Sequence, residues 1–234
     1  MRDENNYPEA CEKSPAVRKS DVTREKILAA ARKVFSGHPY KAATMRMIAA
    51  EGGFDHPLIR YYFPAKADLF KAVVQEACEA FYTAHVSWFE GLDKLPPEEG
   101  LRLFIDRFLD YHFSDPAPMK ILAINSVVQD DPIQIPGYDY VPDVLARVRR
   151  NFERLVSLRA SADEISAFIS SFNNLVVIYL GADTCQARIM NMAPESDEYR
   201  QWVKNTLLYI FAPLLKKLIF PEKAPGKAGG GSGG

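Results

Sequence analysis

The stretch "TMRMIAAEGGFDHPLIRYYFPAKADLF", residues 44–70, holds two short helical patterns on either side of a glycine pair. Thr44 can accept a hydrogen bond from the orphan amides of a first helical turn, and Gly52 and Gly53 supply the stop. Asp55 can cap a second helix, with Pro57 in its first turn, where a missing N–H loses no helical hydrogen bond. Upstream, Ile27, Leu28, Ala31, Val34 and Phe35 form an apolar stripe on an earlier helix that stops near Gly37 and Pro39. Two short helices joined by a glycine-containing turn and supported by a third make a helix-turn-helix, whose second helix enters the DNA major groove.

Charge is distributed as that motif requires. The 234-residue chain carries a formal charge of −1, but residues 13–71 hold twelve cations against five acids, a net +7, which leaves −8 for the remainder. A compact basic head on an acidic body is the electrostatic footprint of a nucleic-acid module. A solvated charged helix face is the alternative that charge alone leaves open.

Outward from the head the apolar residues keep helical spacing, and the fold class reads as all-α: an N-terminal three-helix helix-turn-helix domain and a C-terminal helical domain. Residues 1–20 are polar with no apolar period and read as a disordered arm, 21–68 as the DNA-binding domain, 69–222 as the helical body, and the glycine-serine run 223–234 as a flexible linker-like tail. Helices are expected over about 65–91, 98–113, 116–129, 140–158, 162–192 with a break near Gly181, and 195–220. The loop "DDPIQIPGYDYVP" is the least regular part of the body.

Other function classes find little support. No window approaches the 18 to 20 uninterrupted apolar residues of a membrane span, and "MRDENNYPEACEKSPAVRKS" lacks the apolar core of a secretory signal, so a cytoplasmic, nucleoid-associated place is expected. Cys11, Cys78 and Cys185 are too far apart for a CxxC pair and read as reduced thiols. His85 and His112 have no partner at metal-ligand spacing and read as ordinary helix residues, and His38 as a loop residue, so no metal or cofactor is expected. There is no GxSxG, P-loop, HExxH or dinucleotide fingerprint, and the expectation is that the chain is not an enzyme.

The run from Thr44 to Phe70 resembles the TetR family of transcriptional regulators position by position: Thr opening the second helix, Ile-Ala within it, Gly53 and Phe54 at the turn, Ile59 and Phe63 as buried anchors, Lys66 opening the fourth helix. With "TREKILAAARKVF" before it, the close match covers about 22–74; in the body only "FNNLVVIYLGA" and "YRQWVKNTLLYIFAPLL" look like the paired dimerisation helices of such regulators. The resemblance implies that Thr44, Met45 and Arg46 meet phosphates or a groove edge, that His56, Pro57 and Leu58 read bases, and that Arg60, Tyr61, Tyr62 and Lys66 face phosphates. One of the two tyrosines is expected to pack against the first helix. Arg60 stands where most members have tyrosine, Leu58 where threonine is common and Asp55 where serine or threonine is usual. Leu58 can still contact a thymine methyl, and Arg60 could hold a phosphate or grip guanine.

The body reads as a container for a small apolar effector. Phe104, Phe108, Tyr111, Ile121, Leu122, Asn125, Phe152, Phe172 and Tyr179 are mostly apolar with scattered polar tips, as a pocket lining should be, although the same spacing suits a plain core. The "PIQIPGYDY" loop is the expected entrance. Ile165, Phe168, Phe172, Leu175 and Val176 on one helix and Trp202, Leu208, Phe211, Leu215 and Leu218 on the last form apolar faces that could pair across a homodimer. The expectation is a repressor that binds a palindromic operator as a homodimer and is released by the effector. A DNA-bound interaction protein of the same fold, working through a protein partner without an inducer, is the alternative.

Overall fold

A computed structural model describes residues 19–127 and 135–220, and every regular element among them is helical. The head consists of α1 (Lys19–Gly37), α2 (Met45–Gly52) and α3 (His56–Tyr62). Ile27, Ala31, Phe35, Ile48 and Ile59 are fully buried at its centre, so the stripe read from the sequence is the head's core. Thr44 caps α2 by accepting a hydrogen bond from the Met47 amide at 3.2 Å. Gly53 ends it in the left-handed region at φ 66°, where a side chain would be strained. Asp55 departs from expectation. It sits at the start of α3, but its carboxylate makes no capping bond.

Helix α4 (Lys66–Ser87) belongs to both halves of the molecule. Leu69, Phe70, Val73 and Val74 complete the head core, whereas Phe81 and Ala84 further along pack into a second core. A 3-10 turn (Leu92–Lys94) leads to α5 (Pro97–Ser114), and Arg107 on α5 donates to the carbonyls of Trp88 and Glu90 at 2.7 Å each, which satisfies the open end of α4. Then follow α6 (Ala117–Val127), α7 (Tyr140–Leu155), α8 (Ala162–Val176), α9 (Asp183–Ile189) and α10 (Asp197–Ile219).

The expected break near Gly181 is a widening of the helix: α8 runs into a π-helical segment, Val177–Gly181, and α9 restarts after it. Gly181 is required there. A Cβ on it would stand 2.4 Å from the Ala123 Cβ and 2.5 Å from the Met119 carbonyl, so only glycine lets this segment lie so close to α6. Helices α5 and α10 are joined by two ion pairs one turn apart, Lys204 to Asp106 at 2.6 Å and Arg200 to Asp110 at 2.5 Å.

Several expectations fall on undescribed residues. The arm to residue 18, the tail from 221, Cys11 and the central part of the irregular loop, 128–134, lie outside the described residues. Of that loop the described end packs inward: Ile135 and Tyr138 are buried in the head core, and Gly137, at φ 80°, presses on the backbone of Lys71.

Candidate DNA-binding head and ligand cavity

The ten head residues singled out by sequence divide into two sets. Thr44, Arg46, Pro57, Leu58, Arg60 and Tyr61 are exposed, Tyr61 by 80%. An exposed leucine, proline and tyrosine on a seven-residue helix with an arginine between them are out of place unless something covers them. Met45, His56, Tyr62 and Lys66 are half-buried. Met45 and Tyr62 pack against the head core, and Tyr61 stands edge-on to Tyr62 at 5.2 Å, so Tyr62 is the packed tyrosine.

Lys66 is occupied otherwise than the sequence reading expects. Its Nζ donates to the carbonyls of Tyr40 at 2.7 Å and Ala43 at 2.8 Å and lies 4.4 Å from the Tyr40 ring centroid. Burial pushes this ammonium below its usual value. The cation therefore ties the α1–α2 connection to the start of α4. At the start of α4 the Ala65 amide donates to Asp68 at 3.1 Å.

In the body, a cavity of about 470 Å³ is lined by α4, α5, α6, α7, α8 and the end of α10. That is the scale of a drug-sized site. Phe104, Phe108, Ile121, Leu122, Phe152 and Phe172 line it as expected. Tyr111, Asn125 and Tyr179 do not. Tyr111 packs edge-on against Trp88 and Phe81, and Tyr179 against Trp202. Asn125 is wholly buried between the two halves: its Oδ1 accepts from the Tyr40 amide at 2.8 Å, and its Nδ2 donates to the Ile121 carbonyl at 2.9 Å. It is a strut from α6 to the head.

Sequence reasoning missed the contribution of α4. Val74, Ala77, Cys78, Phe81 and His85 face the cavity, joined by Trp88 and Phe89. The available signal was Phe81, His85, Trp88 and Phe89: His85 stands four after Phe81, and Trp88 and Phe89 three and four after His85, which places all of them around one helical face. His85 is 3% exposed, and burial lowers its pKa from 6.5 to about 4, so the ring is neutral at pH 7. The Cys78 thiol, raised to about 11 chiefly by burial, is likewise uncharged. Cys78 and Cys185 are free thiols. Among the described residues no cluster of His, Cys, Asp and Glu could hold a metal ion.

The residues proposed for a dimer face require a correction. Phe168, Val176, Leu208, Phe211, Leu215 and Leu218 are buried within one protomer, and Ile165, Phe172, Leu175 and Trp202 are half-buried against the same core. The apolar stripe on each helix faces inward because α5, α8 and α10 need it to close the body. Beyond its charged first turn, α8 leaves Ala167, Ser170, Ser171, Asn174 and, past its end, Ile178 outside; α10 leaves Gln201, Asn205, Tyr209, Pro213 and Leu214 outside between its charged ends. By length and composition alone, residues 162–181 are apolar enough to cross a membrane, a test that the core helix of a soluble protein also passes.

The three-helix head has the order, the capped α2 and the exposed last helix of a helix-turn-helix, and the model of the bacterial regulatory proteins of the tetR family matches residues 27–73. The head therefore carries the DNA-binding motif of the tetR family. Over 110 residues it is 32% identical to the HTH-type transcriptional repressor NicS of Pseudomonas putida, a stretch covering 47% of this chain and about half, 51%, of that repressor. Its fold is similar to that of a transcriptional regulator from Rhodococcus sp. Rha1, with a TM-score of 0.62 at 14% identity over 87% of this chain and 100% of that one. It is also similar to FadR from Bacillus subtilis, solved in complex with stearoyl-CoA, with a TM-score of 0.55 at 13% identity over 85% and 99% of the two chains.

Proposed function

We propose that this TetR-family regulator is a repressor that binds a palindromic operator as a homodimer and is released by a largely apolar inducer. The observation that carries the reading is the cavity of about 470 Å³, because two of its walls, α4 and α6, continue into the head. That FadR, whose fold is similar, was solved in complex with stearoyl-CoA supports a ligand here. A solidly packed body would have favoured a protein partner instead.

In this reading His56, Pro57 and Leu58 meet base edges, and Thr44, Arg46, Arg60 and Tyr61 meet the phosphate backbone. Met45, Tyr62 and Lys66 hold those side chains in place from behind. A ligand that packs against Met119, Ile121 and Leu122 displaces α6, and Asn125 transmits the displacement to Tyr40. Since two half-sites are fixed on the duplex, moving one recognition helix relative to its mate costs DNA affinity. The protein would act in the cytoplasm, on the nucleoid.

Selection of bound DNA from a random pool tests the first half, and an inverted repeat is the expected product. On that DNA, Arg60→Ala is expected to cost about 1–3 kcal/mol, with loss of preference at one position if it reads a base and a flatter salt dependence if it holds a phosphate. Recovery of no preferred sequence would sink the reading.

A further inference from the structure

His85 lines the cavity and carries a polar atom that the fold does not satisfy. The Nδ1 of His85 is buried and has no hydrogen-bond partner among the described residues. Its surroundings are rings: Phe89 at 5.1 Å, Trp88 at 5.7 Å, Phe104 at 5.9 Å and Phe81 at 6.2 Å between centroids. A buried polar atom without a partner destabilises the empty protein, and a ligand that supplies the partner removes that cost.

The rest of the lining restricts the ligand further. Among the described residues no lysine or arginine lines the cavity, and the one charged side chain there, Asp93, is exposed. A carboxylate or phosphate would enter without a counter-ion, which the desolvation cost of a charge forbids. The hydroxyl of Tyr138 is already spent on the Leu122 carbonyl at 2.7 Å. Among the described lining residues, His85 Nδ1 is the fully buried side-chain polar atom left without a hydrogen-bond partner. The aromatic walls favour a flat ring laid edge-to-face against them.

We propose that His85 is the polar anchor of the cavity and that the ligand is an uncharged, ring-bearing, largely apolar molecule that presents one hydroxyl to the imidazole. The proposal rests on the inducer reading above and specifies its ligand. It separates this cavity from one that accepts a free acid or a nucleotide-bearing thioester.

Calorimetric titration of the full-length protein at pH 7 with 2-naphthol, naphthalene and 2-naphthoate tests it. The expected order is 2-naphthol tighter than naphthalene by about three- to tenfold, the return from one relieved hydrogen bond, with 2-naphthoate weakest. His85→Phe should bring 2-naphthol to the level of naphthalene while naphthalene changes little. His85→Gln, which keeps a donor and an acceptor, should retain the preference, and it controls for misfolding of the Phe variant. If 2-naphthoate binds best, or if His85→Phe weakens 2-naphthol and naphthalene alike, the anchor is wrong while the cavity reading survives. If none of the three binds to wild type, the inducer reading itself falls and takes the anchor with it.

Discussion

At the scale of single residues, the two buried histidines make the body sensitive to acid. His85 lies among aromatic rings, and His112 on α5 lies near Asp183, Lys120 and Asp115, with Lys120 and Asp183 paired at 3.3 Å. Burial dominates in both, and each pKa is lowered from 6.5 to about 4. Above pH 6.5 both rings are neutral whether folded or unfolded, and stability does not depend on them. Between pH 6.5 and 4 the unfolded chain takes up protons that the folded one refuses, so stability falls as the pH falls, by about 1.4 kcal/mol per pH unit for each histidine. Below pH 4 the loss levels off. Urea unfolding at a fixed protein concentration and stepped pH should show this slope, with about half of it gone in His85→Phe. A profile flat from pH 7 to 4.5 would mean that neither ring is held neutral by the fold.

At the scale of elements, α6 is the shaft between cavity and head. Gly181 lets the π-helical segment press on one side of it, and Asn125 ties the other to Tyr40. Asn125→Leu keeps the volume but leaves the Tyr40 amide buried without an acceptor, so a stability loss of about 1–3 kcal/mol is expected. The change should also alter the coupling between ligand and operator, measured as the ratio of operator affinities with and without ligand, because the strut is gone. An unchanged ratio would show that α4 carries the signal unaided. Asn125 also marks how far the sequence could be read. Helix periods, the Thr44 cap, the glycine stops and the break at Gly181 were all legible because each is a local pattern with a local cause. The partner of Asn125 lies 85 positions away, and nothing near either residue encodes the pairing. Lys66 misled for the same reason: its place in the motif said phosphate, while its neighbours in space, the Tyr40 and Ala43 carbonyls, are known only once the chain is folded. His85 was legible in principle, since the rings around it are near in sequence, but a search for metal spacing alone passed over it.

At the scale of the whole molecule, the open question is what covers the outside of α8 and α10. Periodicity reveals that a helix has an apolar face but not whether that face meets its own body or a second copy, and the inward stripes of these helices go to their own body. The residual outer face of α8, from Ala167 through Ser171 and Asn174 to Ile178, is uncharged and made mainly of small side chains, which allow two helices to approach closely. On α10, Tyr209 is 85% exposed, a poor place for a tyrosine in an isolated protomer. A second copy of the chain is the occupant that a palindromic operator also demands. Two kinds of substitution then separate interface from core. Ile178→Arg combined with Tyr209→Asp should leave helicity and thermal unfolding close to wild type while light scattering reports one subunit instead of two, and operator affinity should fall at least tenfold as the second half-site is lost. Phe211→Asp, by contrast, buries an unpaired carboxylate inside one protomer, costs several kcal/mol and should yield unfolded or aggregated chain. A wild type that scatters as a single folded subunit at micromolar concentration would remove the dimer, and with it the two-fold reading of the operator.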